Sequence, residues 1–157
     1  MLYVYRWHVA LIHFPIALLI VAAVIELFSA VRPRSARPLL VVSFLLVCIA
    51  AVVAILATWL GWQLAAHTKH PGAEDVVEWH RRGGVVTSIL AGLAVICGGV
   101  CLRRAAGRGI RWLYRLLLVL AAAAVIITAH WGGTLIYGDD YFFPSKSTSD
   151  ETTDDDL

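Results

Sequence analysis

Four long apolar runs, separated by short polar connections, constrain this chain more than any other feature. They extend from Val9 to Val31, from Leu39 to Ala66, from Val85 to Leu102 with an extension back to His80, and from Trp112 to Tyr137. A helix rises about 1.5 Å per residue, so about 20 apolar residues cross the hydrocarbon core of a bilayer. Each run is near or above that length. Inside a bilayer every backbone N–H and C=O must find a partner without water, so isolated apolar runs of this kind fold as helices. The sequence therefore predicts an all-α, polytopic membrane protein. Its four transmembrane helices, over residues 1–141, form an up-down-up-down bundle because the connections are short. Composition agrees: 60% of the residues are hydrophobic and 15% charged, against about half and about a quarter in soluble domains. The first run is longer than the roughly 7–15 apolar residues of a signal peptide, and it carries His13 and Glu26. It is expected to remain as a span.

Arginine sets the expected orientation. The first connection holds Arg32, Arg34 and Arg37, and the third holds Arg103, Arg104, Arg108 and Arg111, with Arg115 just inside the fourth run. Neither contains an acid. The second connection mixes Lys69, Arg81 and Arg82 with Glu74, Asp75 and Glu78. The positive-inside rule puts connections one and three in the cytoplasm and both termini outside. With the basic residues explained by topology, nucleic-acid binding is not expected. Residues 142–157 form a separate acidic tail, with Asp150, Glu151, Asp154, Asp155 and Asp156 and almost nothing apolar after Phe143. It is expected to be disordered, and its charge could steer a basic carrier toward the outer face.

The histidines all fall on that outer side. His8 and His13 open the first helix, His67 and His70 follow the second, His80 opens the third, and His130 lies near the end of the fourth. Trp7, Trp79 and Tyr137 are expected interface anchors. By helical rise His13 lies about 9 Å below Trp7 and His130 about 10 Å below Tyr137, while His8 and His80 sit at a shallower level. An imidazole in the hydrocarbon region is costly unless paired or ligated, and so marks a functional site. Two imidazoles from facing helices are what a six-coordinate haem iron needs. The deep pair His13 and His130 are the first-choice ligands, and His8 and His80 are the second pair. Gly84 and Gly133, next to Gly83 and Gly132, offer flat space beside His80 and His130, and Arg81 and Arg82 are placed to meet haem propionates. The two levels differ by only about 8 Å, so one haem b is expected, with two as the upper limit.

Other features carry less. Cys48, Cys97 and Cys101 lie within spans, with no Cys-x-x-Cys-His and no zinc spacing. Pro15 either frees a carbonyl near Leu11 within a helix or occupies the first turn of one that begins near Ile12. Glu26 is the one acid within a span; it either reaches the cytoplasmic interface or serves a proton or quinone pathway. Ser29, Ser43 and Ser88 have no base at a nucleophile-activating spacing, so the chain is not expected to be an enzyme on its own.

Two segments carry a resemblance. His8-Val-Ala-Leu-Ile-His13-Phe-Pro-Ile-Ala17 resembles the opening of a bacterial membrane-protein family, domain-of-unknown-function family 2231, although Val9 stands where that family usually has proline. Trp79-His80-Arg81 also looks like the family's third helix. The stretch from His130-Trp-Gly-Gly to Gly138 is similar to a His-x-Gly-Gly-x-Leu-Thr-His-Gly segment in membrane regions attached to c-type cytochrome domains, with Ile136 and Tyr137 in place of the Thr and second His. The resemblance spans about residues 7 to 141. It implies a bacterial inner-membrane location and a redox role, with a periplasmic cytochrome, a Rieske-type protein or a larger respiratory complex as partner. The leading expectation is an electron-transfer subunit of the b-type cytochrome kind, exchanging electrons with a quinone or an outer-side carrier. The alternatives are a cofactor-free anchor or assembly subunit and a non-haem copper or zinc site.

Overall fold

A computed structural model describes residues 7–32, 36–67, 72–103 and 107–138. His70, Lys69, Arg34, Arg104 and the tail at 142–157 lie outside the described residues. Among the described residues there are five helices: α1 (Trp7–Leu11), α2 (His13–Val31), α3 (Ala36–His67), α4 (Glu74–Cys101) and α5 (Arg108–Tyr137). Four spans result, Trp7–Val31 counting as one. The helices run past the apolar stretches seen in the sequence, because their polar and aromatic ends reach beyond the hydrocarbon. α4 begins at Glu74, not His80, and α5 at Arg108, not Trp112.

The break between α1 and α2 has a local cause. Pro15 carries no N–H, so the carbonyl of Leu11 loses its helical donor. The flanking bonds persist: Ile12 N–H donates to His8 O at 3.0 Å and Ile16 N–H to Ile12 O at 3.4 Å. The chain is therefore already helical at Trp7 and is interrupted at Ile12, so Pro15 does not occupy the first turn of a helix that begins there. Pro15 is buried.

The bundle is closed by neighbours in order. α2 packs on α3 and on α5, α3 on α4, and α4 most extensively on α5. Spans one and three are therefore diagonal, as are two and four. The core is made of small residues: Ala22, Ala50, Ala91, Ala94 and Ala121 are fully buried, with Leu19, Val47 and Leu118 among them. The large apolar side chains, such as Val24, Leu45, Ile55, Ile96 and Ile127, face outward. A soluble bundle would reverse this pattern. Lipid tails are as apolar as leucine, so helices in a membrane gain by close approach of small residues. Glycine carries the closest approaches: a Cβ on Gly83 would collide with Thr128 Oγ1, and one on Gly98 would come within 2.8 Å of the Phe44 ring and 2.9 Å of Tyr114.

Candidate functional site

At one end of the bundle α1 and α4, on diagonal spans, turn one imidazole each toward the other. His8 and His80 have ring centroids 6.1 Å apart and planes at 88°. Each ring is braced by the next helix around the bundle. His8 Nδ1–H donates to Ala57 O of α3 at 2.7 Å, and His80 Nδ1–H donates to Thr128 O of α5 at 2.9 Å. A carbonyl accepts only, so both rings carry a proton on Nδ1, and in the neutral imidazole the lone pair is then on Nε2. Thr128 is held for this role by its own side chain, which donates to Ala124 O at 2.7 Å.

The other diagonal supplies room. A Cβ on Gly61 of α3 would lie 2.8 Å from His8 Cε1, and one on Gly132 of α5 would lie 2.9 Å from His80 Cε1. These two glycines let the imidazoles enter the bundle. Gly84, chosen from sequence, meets only Thr58, and nothing lies near Gly133. The useful glycine on α5 is thus Gly132, one residue from the expected position, and Gly61 was not singled out from sequence at all. Its signal was there: Gly61 stands between Leu60 and Trp62 in an otherwise bulky run.

The deeper histidines are placed differently. His13 is exposed, and its Nδ1–H donates to Val9 O of the preceding turn at 3.0 Å. His130 is also exposed, with its ring 5.8 Å from that of Trp131. Matching depth does not fix direction: five residues separate His8 from His13, so the two point to different sides of the span. His67 is exposed and donates to Gln63 O at 2.7 Å. Among the described residues no group of three or more His, Cys, Asp or Glu could hold a metal ion.

Arginines frame the histidine end. Arg81 lies over the Trp62 ring at 4.2 Å and approaches Glu78 at 4.0 Å, while Arg82 Nε donates to Glu78 at 2.8 Å. Arg81 Nε is buried with no hydrogen-bond partner. A buried charged donor without an acceptor is costly, and it points to a missing acceptor. Beside Trp62, between α3 and α4, runs a groove of about 460 Å³ lined by Ile55, Thr58, Trp59, Trp62, Ser88 and Ile89.

The opposite end holds a second constellation, which sequence reasoning missed. Glu26 is 0% exposed. Its carboxylate accepts from Ser29 Oγ and Ser43 Oγ, each at 3.1 Å, from Arg111 Nη2 at 3.3 Å and from Arg115 Nε at 3.4 Å. Tyr114, also 0% exposed, shares a 3.2 Å hydrogen bond with Ser43. The sequence leaves Glu26 either at the cytoplasmic interface or on a proton or quinone pathway. The real partners come from α5, across the bundle. An acid, Glu26, and an arginine, Arg115, each inside an apolar run, are the available signal, since buried charges must pair.

The chain matches the family described as predicted membrane protein (DUF2231) over residues 7–141, and it belongs to that family. No curated protein and no solved structure matches it.

Proposed function

We propose that the chain is a membrane electron-transfer subunit of the b-type cytochrome kind, with haem iron held between His8 and His80. One observation carries the reading: two imidazoles on diagonal spans meet inside the bundle, each with Nδ1–H committed to a carbonyl. That second bond fixes the tautomer and raises the basicity of Nε2, as in metal-ligating histidines generally. His8 and His80, with ring centroids 6.1 Å apart, are the residues that would hold the iron. Gly61 and Gly132 let α3 and α5 approach the two rings without a Cβ between them. Arg81, next to His80 in sequence, has the unpartnered Nε that a propionate would satisfy.

Haem iron supplies a reversible one-electron couple. The chain's own residues hold the imidazoles through Ala57 O and Thr128 O and keep a cation beside the site. The groove beside Trp62 suits a quinone ring arriving from the bilayer. Ala57, the acceptor of His8, adjoins Thr58 in its wall. The orientation read from the arginines puts this end on the periplasmic side of the bacterial inner membrane. There a cytochrome or Rieske-type partner, or a larger respiratory complex, could exchange electrons with it. Deep ligation by His13 and His130 would require both rings to turn inward from exposed positions.

The test is an optical spectrum, with iron, copper and zinc analysis, of the detergent-purified protein expressed with ample haem. A low-spin haem spectrum with about one iron per chain is expected for bis-histidine ligation. A colourless protein with copper or zinc would replace haem by a non-haem site. A colourless, metal-free protein would make the chain an anchor.

A further inference from the structure

The arginine end has a charge imbalance. Among the described residues the acids are Glu26, Glu74, Asp75 and Glu78, and the last three open α4 at the histidine end. Glu26 alone therefore faces Arg32, Arg37, Arg103, Arg108, Arg111 and Arg115. Four of these are exposed or lie at helix ends, where water and salt screen them. Arg111 and Arg115 are different. Their side chains are 22% and 11% exposed, and both reach the buried carboxylate. One carboxylate neutralises one guanidinium. The second positive charge remains in a poorly solvated place, where an uncompensated ion is expensive.

The hydrogen bonds show where the deficit lies. Arg111 Nη2 serves Glu26, Ser29 Oγ at 3.3 Å and Ala36 O at 2.7 Å, whereas Arg111 Nε is buried with no partner. Arg115 Nη2 donates to Ser29 Oγ at 3.3 Å, and its guanidinium lies 4.8 Å from the Trp112 ring. Among the described residues nothing near the pair supplies a second anion. A phosphate oxygen matches both needs, a negative charge and an acceptor for a guanidinium N–H.

We propose that the junction of α2, α3 and α5 binds a phosphate oxyanion through Arg111 and Arg115, and that the occupant is the phosphodiester of an anionic membrane lipid. The site is at the level where α2 ends and α3 and α5 begin, which is where lipid headgroups lie. Basic clefts between transmembrane helices on the arginine-rich side recognise such headgroups by the same chemistry. This inference does not depend on haem at the other end.

The experiment is native mass spectrometry of the delipidated full chain, titrated with phosphatidylglycerol, with phosphatidylcholine, or with inorganic phosphate. One phosphatidylglycerol is expected to be held preferentially over phosphatidylcholine. Arg111→Gln is expected to weaken it about tenfold or more, the value of a lost charge-assisted hydrogen bond. That variant keeps the Arg115–Glu26 pair and so keeps a neutral core. Arg111→Lys retains the charge but removes Nε and the planar fork, and an intermediate loss is expected. Arg103→Gln, at the exposed end of α4, should bind as the wild type does. Equal retention of the two lipids, or equal loss in the Arg103 and Arg111 variants, overturns the site. Displacement of the lipid by inorganic phosphate overturns the lipid as occupant and assigns the oxyanion site to free phosphate.

Discussion

The two ends of this bundle handle buried polarity in opposite ways. At the arginine end the carboxylate of Glu26 is saturated, with two hydroxyls and two guanidiniums on its two oxygens. At the histidine end each imidazole has its Nδ1–H paired with a carbonyl, and among the described residues no hydrogen bond is made by Nε2. The saturated carboxylate ties α2, α3 and α5 together and specifies how they pack. A half-satisfied pair keeps a valence for something else. The difference separates a group that holds the fold from a group that is placed for a ligand.

The largest effect expected from breaking this contrast is at Glu26. Glu26→Ala leaves two guanidiniums without their acid, and loss of one partner from a buried ion pair costs about 3–5 kcal/mol. Unfolding of the detergent-solubilised protein, followed by helical circular dichroism, should show a much lower midpoint. A variant as stable as the wild type would mean that the cluster does not hold the helices together.

Next come the glycines that admit the imidazoles. Gly132→Val puts side-chain atoms where His80 Cε1 now lies, at 2.9 Å from an added Cβ. Crowding of a packed site costs about 1–3 kcal/mol, and the ring must move off Thr128 O. The expected result is loss of haem or metal uptake with a modest loss of stability. Unchanged uptake would contradict the placement of His80. Gly133→Ala, with open space around it, should change neither.

A smaller effect on stability is expected at the histidines themselves. His8→Ala and His80→Ala each remove one hydrogen bond to a carbonyl, worth about 1 kcal/mol. Their unfolding midpoints should stay close to that of the wild type, far above that of Glu26→Ala. If the histidine variants destabilise as strongly as Glu26→Ala, the two ends do not differ as described.

The smallest effect concerns the acidic tail. Truncation after Pro144 should leave helix content and cofactor unchanged, and should slow electron exchange with a basic carrier at low salt only. Identical rates at low and high salt before and after truncation would remove any steering role.

The spans are legible in the sequence, and the directions of the side chains far less so. Length and hydropathy place four helices, because the bilayer admits few alternatives. Pairing across the bundle depends on which way each side chain points. His8 and His80 are legible as a shallow pair by depth, yet their meeting depends on the close approach that Gly61 and Gly132 allow. Glu26 was legible as an anomaly, but its partners on α5 lie more than eighty positions away. Ser43 and Tyr114 gave no signal, since a serine and a tyrosine among apolar residues look like ordinary helix-packing positions.

The most direct test of the central claim is the visible spectrum of a variant set expressed with ample haem: wild type, His8→Ala, His80→Ala, His13→Ala and His130→Ala. The account predicts a bis-histidine spectrum in the wild type, its loss or conversion to high spin in the His8 and His80 variants, and its retention in the other two. Loss of the spectrum in the His13 or His130 variant, with retention in the His8 and His80 variants, would contradict it.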